Sequence, residues 1–101
     1  MNIGQAIKLC RTQRGFSQTE LAQQAECSVS YLSMLENNKR DPTLSTMTKI
    51  ANALRIPVGI IFFLGAEGDD LTGIDKSLQG ELARTALELL NETVYKDKSP
   101  I

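Results

Sequence analysis

Ser28, Ser30, Tyr31, Ser33 and Met34 fall within seven consecutive positions. They contain no paired nucleophile and base, and no metal-ligand spacing. They do suit contact with the edges of bases: a hydroxyl donates or accepts a hydrogen bond, and a thioether or aromatic ring can cover a thymine methyl. To act together they must project from one short, rigid element seated from behind. The surrounding stretch, Ser17 to Lys39, reads SQTELAQQAECSVSYLSMLENNK and supplies that element. Two short helical patterns flank a tight corner at Glu26-Cys27, and Val29, Leu32 and Leu35 form the expected buried stripe behind the serines. This is the build of a helix-turn-helix, whose second helix lies in the DNA major groove. Three serines on a short helix are otherwise ordinary solvated surface, and it is their setting in the motif that points to DNA.

The rest of the chain narrows the function classes. Its 101 residues, 42% hydrophobic, make one ordinary globular domain, or a small domain with an appendage. No run approaches membrane-spanning length, and the start, MNIGQAIKLC, lacks the basic segment and apolar core of a secretion signal. The two cysteines, Cys10 and Cys27, suit neither a zinc site nor a small disulfide scaffold, and there is no histidine. The expectation is a cytoplasmic protein without metal, cofactor or catalysis. Two structural thiols are the economical reading, with a redox switch at Cys27 as the sharper alternative. Net charge is −1, yet residues 1–64 carry seven Lys and Arg against four acids, whereas residues 65–101 carry four against eight. A basic head and an acidic tail suit a DNA-facing domain, although chance scatter in a small protein would look the same.

The elements that must position the serines read as all-α. Helix one spans about Ile3 to Gln13, with Ile3, Ala6, Ile7 and Cys10 on one face, and Gly15 stops it. Ser17 caps helix two and Glu20 completes a capping box; Leu21, Ala22 and Ala25 point inward. Ser28 caps helix three. Pro42 ends the polar loop Asn37 to Asp41, and Thr43 caps helix four, which turns Leu44, Met47, Ile50, Ala51 and Leu54 inward. Pro57 opens a fifth helix through Phe62 or Phe63. Residues 65–74 form an acidic, glycine-rich linker, and residues 75–101 hold one long helix, Asp75 to about Val94, before a frayed end. Two apolar stripes run along it, Leu78-Leu82-Ala86-Leu89 and Ala83-Leu87-Leu90-Val94. One stripe is enough to dock on a small domain, so the doubled face predicts that a second surface is covered, most simply by another copy of the chain.

The chain resembles the Xre/Cro/C1 family of helix-turn-helix regulators. The matching residues are Gly15-Phe16-Ser17-Gln18, Leu21-Ala22, Ser28, Tyr31-Leu32-Ser33, Leu35-Glu36-Asn37, Arg40-Asp41-Pro42-Thr43 and Lys49 to Leu54. They span about Ile3 to Leu64, and nothing similar anchors the tail. The resemblance implies a five-helix, lambda-repressor-like DNA-binding domain over residues 1–64. It implies base reading by Ser28, Ser30, Tyr31, Ser33 and Met34, and a phosphate grip by Gln18 at the start of helix two. Asn37, Lys39 and Arg40, with Thr43 nearby, would border the DNA backbone. It further implies a structural salt bridge between Arg11 and Glu36. The chain departs from the pattern at Glu26 and Asn38, where glycine is usual; Glu in a left-handed conformation costs ~1 kcal/mol, and asparagine tolerates it well.

The expected function is transcriptional regulation, most simply repression, by a homodimer on a palindromic operator in double-stranded DNA. Phe62, Phe63, Leu64 and the tail residues Leu78, Leu82, Ala86 and Leu89 are the candidate dimer surface. Two alternatives share the same head: an antitoxin whose tail covers a toxin, and a restriction-modification controller.

Overall fold

The computed structural model describes residues 1–67 and 75–91. Among them are six helices and no strand: α1 (Ile3–Gln13), α2 (Gln18–Gln24), α3 (Val29–Glu36), α4 (Leu44–Leu54), α5 (Val58–Gly65) and α6 (Lys76–Asn91). The linker residues 68–74, and the C-terminal residues 92–101 with Val94, lie outside the described residues.

The first four helices each start where a side chain satisfies a first-turn N–H, whereas α5 follows Pro57 without a side-chain cap. Asn2 Oδ1 accepts from Gln5 N at 3.0 Å, a cap on α1 that the sequence reading did not assign. Ser17 and Glu20 form both bonds of the capping box, Glu20 N to Ser17 Oγ at 3.0 Å and Ser17 N to Glu20 Oε1 at 2.8 Å. Ser28 Oγ accepts from Tyr31 N, and Thr43 Oγ1 from Thr46 N. Each such cap stabilises its helix by about 1 kcal/mol. The corner between α2 and α3 places Glu26 at φ +61°, the left-handed conformation expected there. Arg55, also left-handed at φ +59°, ends α4, and the N–H of Ile56 reaches back to Ala51 O at 3.1 Å. No glycine marks that stop in the sequence. Pro57 precedes α5, which runs on to Gly65, two residues past Phe63.

The helices enclose one core centred on Ile7, Cys10, Leu21, Leu32, Leu35, Met47, Ile50, Leu54 and Ile61. Two predicted core residues are not in it. Val29 is 40% exposed and Leu44 is 71% exposed. Both are the first residue of a helix, immediately after its cap. At about 100° per residue each stands roughly 60° to one side of the buried line that starts three residues later. A helical side chain also leans toward the N-terminus, so a first-residue side chain projects past the helix end, beyond the layer that covers the next turn. Spacing alone gives both residues the right face; the end of the helix removes the cover.

The tail helix α6 packs on α1 and α5 of the same chain. Its covered line is Ala86 and Leu90, both essentially without exposure, flanked by the half-buried Leu82, Ala83 and Leu89. This line falls between the two predicted stripes and takes one residue from each. Leu78 and Leu87 remain 47% and 50% exposed on opposite flanks. Ala86, assigned from the sequence to a dimer face, is fully covered by the chain's own head. A buried arginine joins tail to head: Arg14 donates from Nε to Leu54 O at 2.9 Å, from Nη2 to Arg55 O at 3.1 Å and from Nη1 to Leu90 O at 3.4 Å. The guanidinium thus serves carbonyls at the C-terminal end of α4, where the partial charge is negative and intrahelical partners run out, together with a carbonyl of α6.

Candidate nucleic-acid interface

Leu32 and Leu35 hold α3 from behind, and a buried ion pair completes the seat. Arg11 Nε meets Glu36 Oε2 at 2.6 Å and Arg11 Nη2 meets Glu36 Oε1 at 3.0 Å, with the two side chains 11% and 2% exposed. The remaining Arg11 nitrogen donates to Phe16 O at 2.9 Å, and Gln18 Nε2 donates to Glu36 Oε1 at 3.0 Å. A forked, fully hydrogen-bonded pair repays its desolvation only while every partner is present. The expected Arg11–Glu36 bridge therefore anchors the recognition helix to α1. Gln18, expected to grip phosphate, is half-buried and donates to Glu36, which occupies one of its amide hydrogens.

Facing away from this seat are Ser28, Val29 and Ser30, all exposed, then Tyr31, Ser33 and Met34, half-covered. The five predicted base-reading residues are presented differently, with Met34 half-covered on the second turn of α3. Ser30 is open, and its hydroxyl bonds to nothing else among the described residues. Ser28 Oγ and Ser33 Oγ accept intramolecular bonds, from Tyr31 N at 3.0 Å and from Asn37 Nδ2 at 3.4 Å. Tyr31 lies under the guanidinium of Arg40, whose Cζ is 5.7 Å from the ring centroid. Val29, expected in the core, leaves exposed apolar surface beside Ser30.

The loop after α3 carries the expected backbone-facing residues. Asn37, Lys39, Arg40 and Thr43 are all exposed. Asn37 folds back, donating from Nδ2 to Ser33 O at 2.9 Å. Thr43 spends its hydroxyl on the α4 cap and on Thr46 Oγ1 at 3.0 Å. Lys39 and Arg40 are the charged pair that the loop displays beside α3. Asn38, which the sequence reading treated only as a tolerated departure, is left-handed at φ +59° and bonds through its side chain to the start of α1.

The thiols stand apart from this surface chemically. Burial pushes the Cys10 thiol up to about 11, and burial raises Cys27 also, opposed by the nearby Lys49 ammonium. Both are therefore protonated, poor nucleophiles at neutral pH. No group of three or more His, Cys, Asp or Glu able to hold a metal ion occurs among the described residues. No single helix there is long and apolar enough to cross a membrane; α4 and α5 pass that test only when taken together across a 104° bend.

A helix-turn-helix family matches residues 7–61, more than half of the chain and the whole of the α2–α3 geometry. The chain belongs to the Xre/Cro/C1-type helix-turn-helix family. This Xre-type chain is 43% identical over 61 residues to the immunity repressor protein of Bacillus phage phi105, a match covering 60% of the chain and 42% of that relative. It is 39% identical over 57 residues to the transcriptional regulator SinR of Bacillus subtilis, covering 55% and 51%. With the competence pilus inhibition repressor of Acinetobacter baylyi it shares 30% identity over 79 residues, 78% of the chain and 72% of the relative. The chain thus spans about half or less of the length of the first two, while a 79-residue match necessarily extends past the head into the tail.

Proposed function

We propose that this Xre-type chain is a transcriptional repressor that occupies a palindromic operator as a homodimer, with α3 in the major groove. The observation that carries the reading is the division of α3 into two sides. Leu32, Leu35 and the Arg11–Glu36 pair hold one side, and Ser30 and Val29 project from the other at the end of the helix that approaches base edges. Val29, Met34 and the ring of Tyr31 are apolar and suit thymine methyls, while Ser30 accepts or donates to several bases. No Arg, Asn or Gln stands on the outward side of α3, so bidentate readout of G or A is absent from the helix and DNA shape takes a larger share of specificity.

Lys39 and Arg40 supply affinity by neutralising phosphate, and each lost contact lowers the salt dependence by about one unit. A single small head contacts too few bases to define a site in a genome, whereas two related by a dyad read half-sites about one helical turn, ~34 Å, apart. Phe62, Phe63 and Leu64, with the Leu78-Leu82-Leu89 flank of α6, keep exposed or half-exposed apolar surface after the tail has docked, which supports their use by a second copy. Ala86 leaves that surface because the head covers it. Such a repressor works in the cytoplasm, where the operator is, and needs no cofactor.

Selection of bound sites from a random duplex pool at stated salt tests this reading directly. The expected product is one short sequence repeated in inverted orientation at a fixed spacing. Enrichment of a lone half-site, together with a monomer in sedimentation at micromolar concentration, would refute the dimer. No enrichment of any sequence would refute base readout by α3.

A further inference from the structure

Asn38 lies in the loop that displays Lys39 and Arg40, at φ +59°, a conformation that glycine adopts with least strain. An asparagine there has its side-chain amide engaged at both ends. Oδ1 accepts from Gly4 N at 3.2 Å, and Nδ2 donates to Asn2 Oδ1 at 2.8 Å. Asn2 is itself held three times more, by Gln5 N on the same Oδ1 at 3.0 Å, by Ala6 N on its carbonyl at 3.3 Å and through its own N–H to Gly65 O at 2.6 Å. The approach is close enough to require glycine: a Cβ on Gly4 would fall 2.6 Å from Asn38 Oδ1 and 2.8 Å from Glu36 O. The first turn of α1, its positive dipole end, is therefore pressed against the last carbonyls of α3, the negative end. On the far side of the loop, Lys39 N donates to Met34 O at 2.8 Å and Arg40 covers Tyr31. The two cations thus stand on a loop clamped to α1 on one side and to α3 on the other.

We propose that Asn38, held by Asn2, is a positioning residue for the grip on the DNA backbone: it sets where Lys39 and Arg40 stand and touches no DNA itself. The proposal rests on the DNA-binding reading above. The bond to Asn2 is exposed and the bond from Gly4 N is part-buried, so affinity has to be read where every variant stays folded; the loop that both bonds orient carries charge that must meet fixed phosphates. Asparagine at this position thus does what a glycine could not, although a glycine would follow the same backbone path.

The test compares the full chain with Asn38→Gly, which keeps the left-handed backbone, and Asn2→Ser, which keeps a capping hydroxyl but shortens the reach to Asn38. Binding is read by fluorescence anisotropy on the selected operator and on a scrambled duplex, over a salt series, at a temperature where circular dichroism shows every chain folded. Each variant is expected to bind both duplexes about two- to tenfold more weakly, with base preference unchanged and a shallower salt slope. The double variant should be no weaker than the worse single one, because one clasp is broken once. Affinities within twofold of the parent, while Lys39→Ala weakens binding on the same duplexes, would overturn the proposal and leave the DNA reading intact. A loss confined to the operator, or fully additive losses, would overturn it as well. A parent chain that binds neither duplex would remove the DNA reading, and this assignment with it.

Discussion

The recognition helix α3 and the tail helix α6 rest on the same core, yet they are held by different means. Behind α3 stand two buried leucines and a forked ion pair, with Arg11 and Gln18 both converging on Glu36. Such bonds fix orientation, because a buried carboxylate tolerates no sliding away from its donors. Behind α6 stand Ala86 and Leu90, and among the described residues Arg14 reaches its Leu90 carbonyl at 3.4 Å. Apolar burial gives stability with little directional demand. Outward, α3 offers serines and one valine, whereas α6 keeps two half-exposed leucines on opposite flanks. A helix that must enter a groove at one angle is locked by polar geometry; a helix that joins apolar surfaces is seated by packing and keeps apolar surface in reserve.

The sharpest break in this comparison is Glu36→Ala. It strands Arg11 in a buried site, and the expected destabilisation is about 3–5 kcal/mol. Urea unfolding of the variant checks it, and a loss under 1 kcal/mol would mean that the pair is far better hydrated than its burial indicates. Next is Leu90→Ala in α6, expected to cost about 2–4 kcal/mol through lost burial and a cavity. The two should differ in kind as well as size: the Glu36 variant loses DNA affinity in proportion to recognition-helix disorder, whereas the Leu90 variant, kept folded at low temperature, retains base preference. Site selection on both variants separates these outcomes.

The same contrast explains what was legible in the sequence. The capping devices of the head have fixed local spacing, so Ser17 with Glu20, Ser28 and Thr43 are legible in the sequence, and family resemblance supplies the Arg11–Glu36 pair. Apolar faces are legible as faces only. Val29 and Leu44 have the correct spacing but stand at helix starts, where cover depends on the neighbouring element. The tail shows the same ambiguity more widely: an apolar arc broad enough for two stripes does not reveal that the head covers its centre. Arg14 and Asn38 escaped because their partners, at Leu54, Arg55 and Leu90 for one and at Asn2 and Gly4 for the other, lie 34 or more positions away in sequence. Asn2 alone left a usable local signal, a capping residue three positions before Gln5.

A smaller effect, of opposite sign, comes from the corner that aims α3. Glu26 is left-handed and exposed, and its carboxylate reaches Lys49 Nζ at only 3.6 Å, a surface pair worth little. Glu26→Gly relieves the strained conformation and is expected to stabilise the fold by ~1 kcal/mol, partly offset by the greater freedom of the unfolded chain. Thermal unfolding reads this as a rise of a few degrees. A fall would show that the Glu26–Lys49 contact or local packing contributes more than the backbone strain.

The smallest effect on stability is expected where the tail leaves leucines uncovered, and it sharpens the comparison most. Leu78→Ser and Leu87→Ser each remove a half-exposed side chain, so neither should shift folding by more than ~0.5 kcal/mol. Their effects on assembly should diverge. Leu78 lies on the flank shared with Leu82 and Leu89, the side assigned here to a second copy, while Leu87 lies on the other flank beside Ala83. Around the helix the two are separated by roughly 180°, so one flat interface cannot bury both. Sedimentation of the two variants at matched concentration therefore assigns the flank. Weakened self-association for Leu78→Ser alone supports the proposed surface; weakening for Leu87→Ser alone moves the dimer to the opposite side of α6. Equal association in both, with an intact dyad in site selection, would place the dimer contacts on α5, at Phe62, Phe63 and Leu64, and reduce the tail to a buttress for its own head.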